Sequence, residues 1–411
     1  MPLEQAWGFV MRLYRLGYCA VLAAGLLTGD LAFAAASDIA GNCLASNAFR
    51  EIDKTMERCA AALETPGVTS EDRAKFHTQR GLAFHWAVQP AYSNPEFNEA
   101  LKLDPSNQEA RLRRGWAHLQ AQRPSLSYQD FTDVLAADSK NSSALYGIAS
   151  IYFGTSEHGK AVKLLEQALQ IDPDYHAARS KLADHFTYHA GDNRRALQEY
   201  DRILGDTSGT LDAVPFWSVP PSPAGFSFRH VVQEKKATAL LRARLASEAQ
   251  NLLEPLVKRF PGVANLYVLR GNAKHALGEY EAALSDAEKS LSLSPYSLSG
   301  QELGMNALFW MRRYEEALKS ANKILSVSFH ERAFYAQALR TRAIILKSQG
   351  QYSEAKADFE QVMRMDKMYR VDVIMRLKEW GYYDGTPDDE YNTAMSNGLD
   401  ACLVDPECYG W

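Results

Sequence analysis

A 34-residue period, running with variations from about Ala74 to Tyr369, constrains this chain more than any other feature. It is clearest in Ser142 to Tyr175, SSALYGIASIYFGTSEHGKAVKLLEQALQIDPDY. Leu145, Ile148, Ala149 and Tyr152 share one face of a first helix. Gly154 and Gly159 interrupt the pattern, and a second helix presents Ala161, Leu164, Leu165 and Ala168. Asp172-Pro173 ends it, because a residue before proline is pushed out of the α region and proline cannot continue the hydrogen-bond ladder. Two short amphipathic helices bury too little surface to stand alone, so such units fold only by stacking on one another.

Ala149, Tyr152, Ala161, Leu165, Ala168 and Pro173 occupy positions eight, eleven, twenty, twenty-four, twenty-seven and thirty-two of the unit. In this layout the unit resembles the tetratricopeptide repeat. The resemblance implies an all-α, right-handed superhelical solenoid of helix-turn-helix repeats. Four repeats are expected over 74–204. The first has Gly81, Phe84, Phe97, Ala100 and Pro105 in place, with Pro90 and Pro95 bracketing an unusual inter-helix turn. The second keeps Gly115 and Phe131 but has Ser127 and Ser139 where alanine and proline belong. The fourth needs one extra residue before Ala196 and Tyr200 fall into register. The period breaks over 205–229, where DTSGTLDAVPFWSVPPSPAGFSF carries four prolines and no helical periodicity. Its Phe216, Trp217, Phe226 and Phe228 are expected either to cover a groove or partner surface or to belong to a tolerated insertion. Four further repeats fill 230–369. Small residues recur at positions eight, twenty and twenty-seven because helices pack closely there, and larger side chains would force them apart.

The ends differ from the array. Arg12 and Arg15, an apolar run from Leu16 to Leu27, and Ala32-Phe33-Ala34 follow the order of a secretory signal peptide, so 1–36 is expected to be removed and the chain exported to the periplasm or beyond. No later stretch is apolar enough to span a bilayer. Residues 37–73 read as N-terminal capping helices. Removal of the leader leaves Cys43, Cys59, Cys402 and Cys408, which permit three pairings; proximity favours Cys43–Cys59 and Cys402–Cys408, with buried free thiols as the alternative. In the tail, 370–411, Leu377 to Gly385 (LKEWGYYDG) resembles the start of peptidoglycan-binding-like domains. Asp388-Asp389 and Tyr391-Asn392 stand where that family has glycines, and Met395 and Gly398 replace its threonine and alanine. The resemblance implies a small helical mini-domain that contacts peptidoglycan.

The sequence offers no catalytic constellation: HExxH, GxSxG, GxxxxGK[ST] and GxGxxG are all missing. Its ten histidines are scattered, so neither a cofactor nor a metal is expected. A net charge of −5, a pI near 6.1 and the lack of a basic tract argue against nucleic acid as a partner. The resemblance instead implies a concave groove lined by positions two, five, nine and twelve of each first helix. Carried onto this chain, its occupants include Trp116, Tyr146, Phe153, Asp184, Asn272, Asn306, Phe309 and Arg340. The expected function is therefore an exported, non-catalytic scaffold that binds protein or peptide partners. The alternative is an envelope protein whose tail contacts peptidoglycan while its repeats recruit an enzyme or assembly partner.

Overall fold

The structure is a computed structural model that describes residues 38–46, 48, 51–208, 211, 226–328, 330–386 and 390–405. The expected leader, Phe216, Trp217, Asp388, Asp389 and Cys408 lie outside these residues. Every regular element among the described residues is a helix, and consecutive helices pack as pairs. The chain divides between Asp172 and Pro173 into two compact bodies.

The first body opens with α1 (residues 38–45) and α2 (Ile52–Glu64). Cys43 and Cys59 are joined by a disulfide with their Cα atoms 4.7 Å apart. The pair packs with Ala62 against Phe76 of the first repeat, which covers that repeat's outer face. Three helix pairs follow: α3 (Ser70–Trp86) with α4 (Pro90–Leu103), α5 (Gln108–Gln120) with α6 (Pro124–Ala137), and α7 (Ser142–Gly154) with α8 (His158–Ile171). First helices start where a side chain caps them: Asn107 accepts from the Ala110 amide and Asn141 from the Ala144 amide.

The second body contains α9 (His176–His185), α10 (Asn193–Leu204), α11 (Phe228–Arg242), α12 (Ala246–Arg259), α13 (Ala264–Ala276) and α14 (Tyr280–Leu293). It continues with α15 (Leu298–Trp310), α16 (Tyr314–Val327), α17 (Arg332–Ser348), α18 (Tyr352–Met365), α19 (Lys367–Glu379) and α20 (Thr393–Val404). The extra residue of the fourth repeat is absorbed by a π turn over Phe186–Ala190 at the end of α9.

The turn between paired helices uses one left-handed residue at the same repeat position throughout. These residues are Val88, Gln122, Ser156, Gly191, Arg244, Gly278, Arg312 and Gly350, with φ between 57° and 82°. The prolines of the first repeat therefore do not form its turn. Pro90 is the first residue of α4, where its missing N–H costs nothing, and Pro95 lies inside that helix. The Asn94 side-chain amide donates to the Pro90 carbonyl (3.0 Å).

A second recurring device joins the paired helices. An arginine at position seven of the repeat, in its first helix, reaches an acid sixteen residues later in the second. The pairs are Arg80–Glu96 (2.7 Å), Arg114–Asp130 (2.7 Å), Arg270–Asp286 (2.6 Å) and Arg342–Asp358 (2.7 Å). In the last three both carboxylate oxygens are engaged, and the aspartates are buried.

Among the described residues the tail packs on the last repeat. Val373, Ile374 and Leu377 of α19 and Met395, Leu399 and Leu403 of α20 form one core with Leu339, Ala343, Phe359 and Val362 of the last repeat. Gly398 approaches the Tyr382 carbonyl so closely that an added Cβ would lie 2.5 Å from its oxygen. Only glycine fits there, which accounts for the departure from the family's alanine. Cys402 is fully buried in this core and disulfide-bonded.

Candidate partner-binding cleft

Three successive first helices of the second body, α13, α15 and α17, frame a cleft of about 570 Å³. Helical spacing sets its walls. Asn306, Phe309 and Trp310 are neighbours on one face of α15, and Gln337, Arg340, Thr341 and Ile344 form the facing stripe of α17. His275 ends the α13 wall, while Arg312 and Tyr314 enter from the turn after α15. Arg312 is the left-handed residue of that turn (φ 61°), so the backbone conformation itself places a guanidinium beside the cleft.

Trp310 is 56% exposed. Its ring stacks on Tyr280, with centroids 5.9 Å apart and planes 12° from parallel. This contact fixes the indole and leaves much of it open to solvent. Arg340 lies 4.4 Å above the Tyr369 ring, a contact that orients its guanidinium. Burial lowers the pKa of His275, opposed by a hydrogen bond to the Asn306 backbone, so the imidazole is neutral near pH 7. No carboxylate occurs among the described lining residues. The cleft thus combines two guanidinium groups, exposed aromatic surface and two side-chain amides. That set suits carboxylates, apolar side chains and the peptide backbone of a bound segment.

Asn306, Phe309 and Arg340 are the expected groove residues brought together here. The others are placed elsewhere. Asn272 is exposed on α13 outside the cleft lining. In the first body Trp116 and Tyr146 are core residues, 3% and 5% exposed. Their rings lie 5.4 Å apart, Trp116 packs edge-on to Phe131 at 5.1 Å, and its Nε1 donates to the Ser143 hydroxyl (3.3 Å). Phe153 is half-buried against His158 (5.7 Å). Asp184 ties α9 to its neighbours, accepting from Lys235 of α11 and from the Tyr200 hydroxyl, each at 2.7 Å.

Phe226 and Phe228 are also interior, 9% and 3% exposed. Phe226 packs edge-on to Phe260 at 4.9 Å, and Phe228 is the first residue of α11. These two side chains anchor the end of the interruption to the core and do not cover a groove.

The reading of positions two, five, nine and twelve omits Trp310, Arg312 and Tyr314. They occupy positions thirteen, fifteen and seventeen, at the turn. Their signal is an arginine at the left-handed turn position, where three repeats have glycine and one other has arginine (Arg244), here flanked by aromatics. Among the described residues, no cluster of three or more His, Cys, Asp or Glu could hold a metal, and no helix is long and apolar enough to cross a membrane.

Residues 93–142, 142–175, 234–297 and 335–365 match tetratricopeptide repeat families. The chain carries tetratricopeptide repeats. The matches cover most of α4 to α8, most of α11 to α14, and most of the α17–α18 pair, whose first helix forms one side of the cleft. Among solved structures, a chain of the APC/C hetero-tetramer Cut9-Hcn1 aligns over 98% of this chain and 67% of its own, with a TM-score of 0.52 and 12% identity. That likeness carries the fold alone. A tetratricopeptide repeat protein from Parabacteroides merdae aligns over 65% of this chain and 98% of its own (TM-score 0.48, 16% identity). PilF of Pseudomonas aeruginosa aligns over 57% of this chain and 97% of its own (TM-score 0.44, 17% identity). No curated protein matches the sequence.

Proposed function

We propose that this tetratricopeptide repeat chain is an exported, non-catalytic scaffold that holds a segment of a protein partner in the cleft between α13, α15 and α17. The observation that carries the proposal is the convergence of Phe309, Trp310, Arg312 and Arg340 around one concave space with no acid among its described lining residues. Tryptophan, tyrosine and arginine are enriched among the few residues that dominate interface energies, and here Trp310 and Arg340 are already oriented by Tyr280 and Tyr369. Export rests on the leader-like order of the first 36 residues. The Cys43–Cys59 disulfide agrees with an oxidising compartment.

The proposal does not extend to a peptidoglycan contact. The apolar residues of the tail, Leu377, Tyr383, Met395 and Leu399 among them, are buried against the last repeat and close its end.

The test is selection of binding peptides from a random display library against the full chain, followed by affinity measurement on the best sequences. Phe309→Ala and Arg340→Ala are each expected to weaken binding by roughly 1–2 kcal/mol, while Asn272→Ala leaves it unchanged. Peptides that bind both cleft variants as tightly as the native chain would refute the assignment. Export is checked separately, by sequencing the N-terminus of the protein recovered from the native host.

A further inference from the structure

A second cleft of about 590 Å³ lies in the last repeat and shares no lining residue with the first. Because α17 and α18 run antiparallel, the start of one and the end of the other meet. Their side chains Arg332, Gln361, Arg364 and Met365 line this space, together with His330 of the preceding turn. Like the partner cleft it contains no carboxylate among its described lining residues.

The two charged side chains of this lining are both arginines. Arg332 is exposed and forms no ion pair among the described residues. Arg364 is held 4.5 Å over the Tyr391 ring and meets one acid, Glu360, at 3.3 Å. That carboxylate is shared: it also accepts from the Ser396 hydroxyl (2.7 Å) and lies 3.7 Å from Lys356. Arg364 is therefore only partly neutralised, and its guanidinium is already oriented.

We propose that this cleft binds a phosphate ester. Two guanidinium groups match the charge of a dianion better than that of a carboxylate, and each can engage its oxygens through paired N–H donors. The volume falls in the range of small-molecule sites and exceeds what a bare anion fills, while Met365 supplies apolar surface for the organic part. The site is independent of the partner cleft.

Calorimetric titration of the full chain at low ionic strength with phenyl phosphate, inorganic phosphate and benzoate tests the assignment. Saturable binding of phenyl phosphate is expected, with benzoate much weaker. Arg332→Gln and Arg364→Gln should each reduce affinity roughly tenfold, the worth of one lost charge-assisted contact. Arg332 is exposed, so its variant keeps the fold, and Arg313→Gln, at an exposed position that lines neither cleft, should bind normally. Preference for phenyl phosphate over inorganic phosphate is expected, and equal affinity would overturn the assignment to an ester. Failure of phenyl phosphate to bind, benzoate binding equally well, or full affinity in the Arg332 and Arg364 variants would overturn the proposal.

Discussion

Asp130 shows how a single side chain can hold a helix pair together. It is 2% exposed and takes two hydrogen bonds from the Arg114 guanidinium, at 2.9 and 2.7 Å, while Arg114 also reaches Asn98 of the preceding helix (2.9 Å). Arg270 and Arg342 repeat the arrangement, bridging Asp286 to Glu254 and Asp358 to Asn322. Removing the arginine leaves a buried carboxylate whose remaining ionisable neighbour is the His118 ring, 3.9 Å away, and burial lowers the pKa of that ring and so disfavours its cationic form. Arg114→Ala should therefore destabilise the first body by about 3–5 kcal/mol. Arg114→Ala with Asp130→Ala should cost less than Arg114→Ala alone, since the double variant buries no uncompensated charge. Chemical denaturation of the four proteins of this cycle measures both effects. A double variant at least as unstable as the sum of the singles would mean that the pair is not coupled.

At the scale of elements, helix pairs are legible in the sequence because their apolar positions must recur every 34 residues to meet the next pair. The one-residue insertion of the fourth repeat is legible too, although only the structure shows it as a π turn. Inter-helix turns are less legible, since proline is a misleading marker: Pro90 and Pro95 lie in α4, and the reversal falls on Val88. Three of the equivalent positions hold glycine, while Val88 is a β-branched residue at φ 57° and 48% exposed. Such a residue is strained in the left-handed region by about 1–2 kcal/mol, and glycine's extra backbone entropy offsets part of that. Val88→Gly should thus stabilise the protein by about 0.5–1 kcal/mol, seen as a higher denaturation midpoint at unchanged slope. A lower midpoint would show that Val88 makes contacts worth more than its strain. Groove residues are the least legible of all. Trp116 and Arg340 both occupy line-up positions in their repeats, yet one closes on Phe131 and Tyr146 while the other stays open above Tyr369. Which of the two happens depends on the size of side chains one repeat away.

At the scale of the whole molecule, an array of stacked repeats needs its last face covered, and the covering element can look like a domain of its own. The tail has a sequence reminiscent of a wall-binding module, but its apolar residues complete the core begun by Leu339, Ala343 and Phe359. Polar contacts bind it further: the Ser396 hydroxyl donates to Glu360 (2.7 Å), and Lys356 of α18 pairs with Asp400 of α20. A chain ending at Arg370 would leave Phe359, Val362 and Met363 exposed, and each buried side chain of this size is worth about 1.5–3 kcal/mol. Such a truncation should lower the melting temperature clearly and open α17 and α18 to proteolysis. Gly398→Val should act in the same direction without shortening the chain, because its side chain would meet the Tyr382 carbonyl. An independently folded module predicts the opposite, with the remaining repeats melting as before and α17–α18 still protected. Melting and limited proteolysis of the two variants beside the full chain decide between a module and a cap.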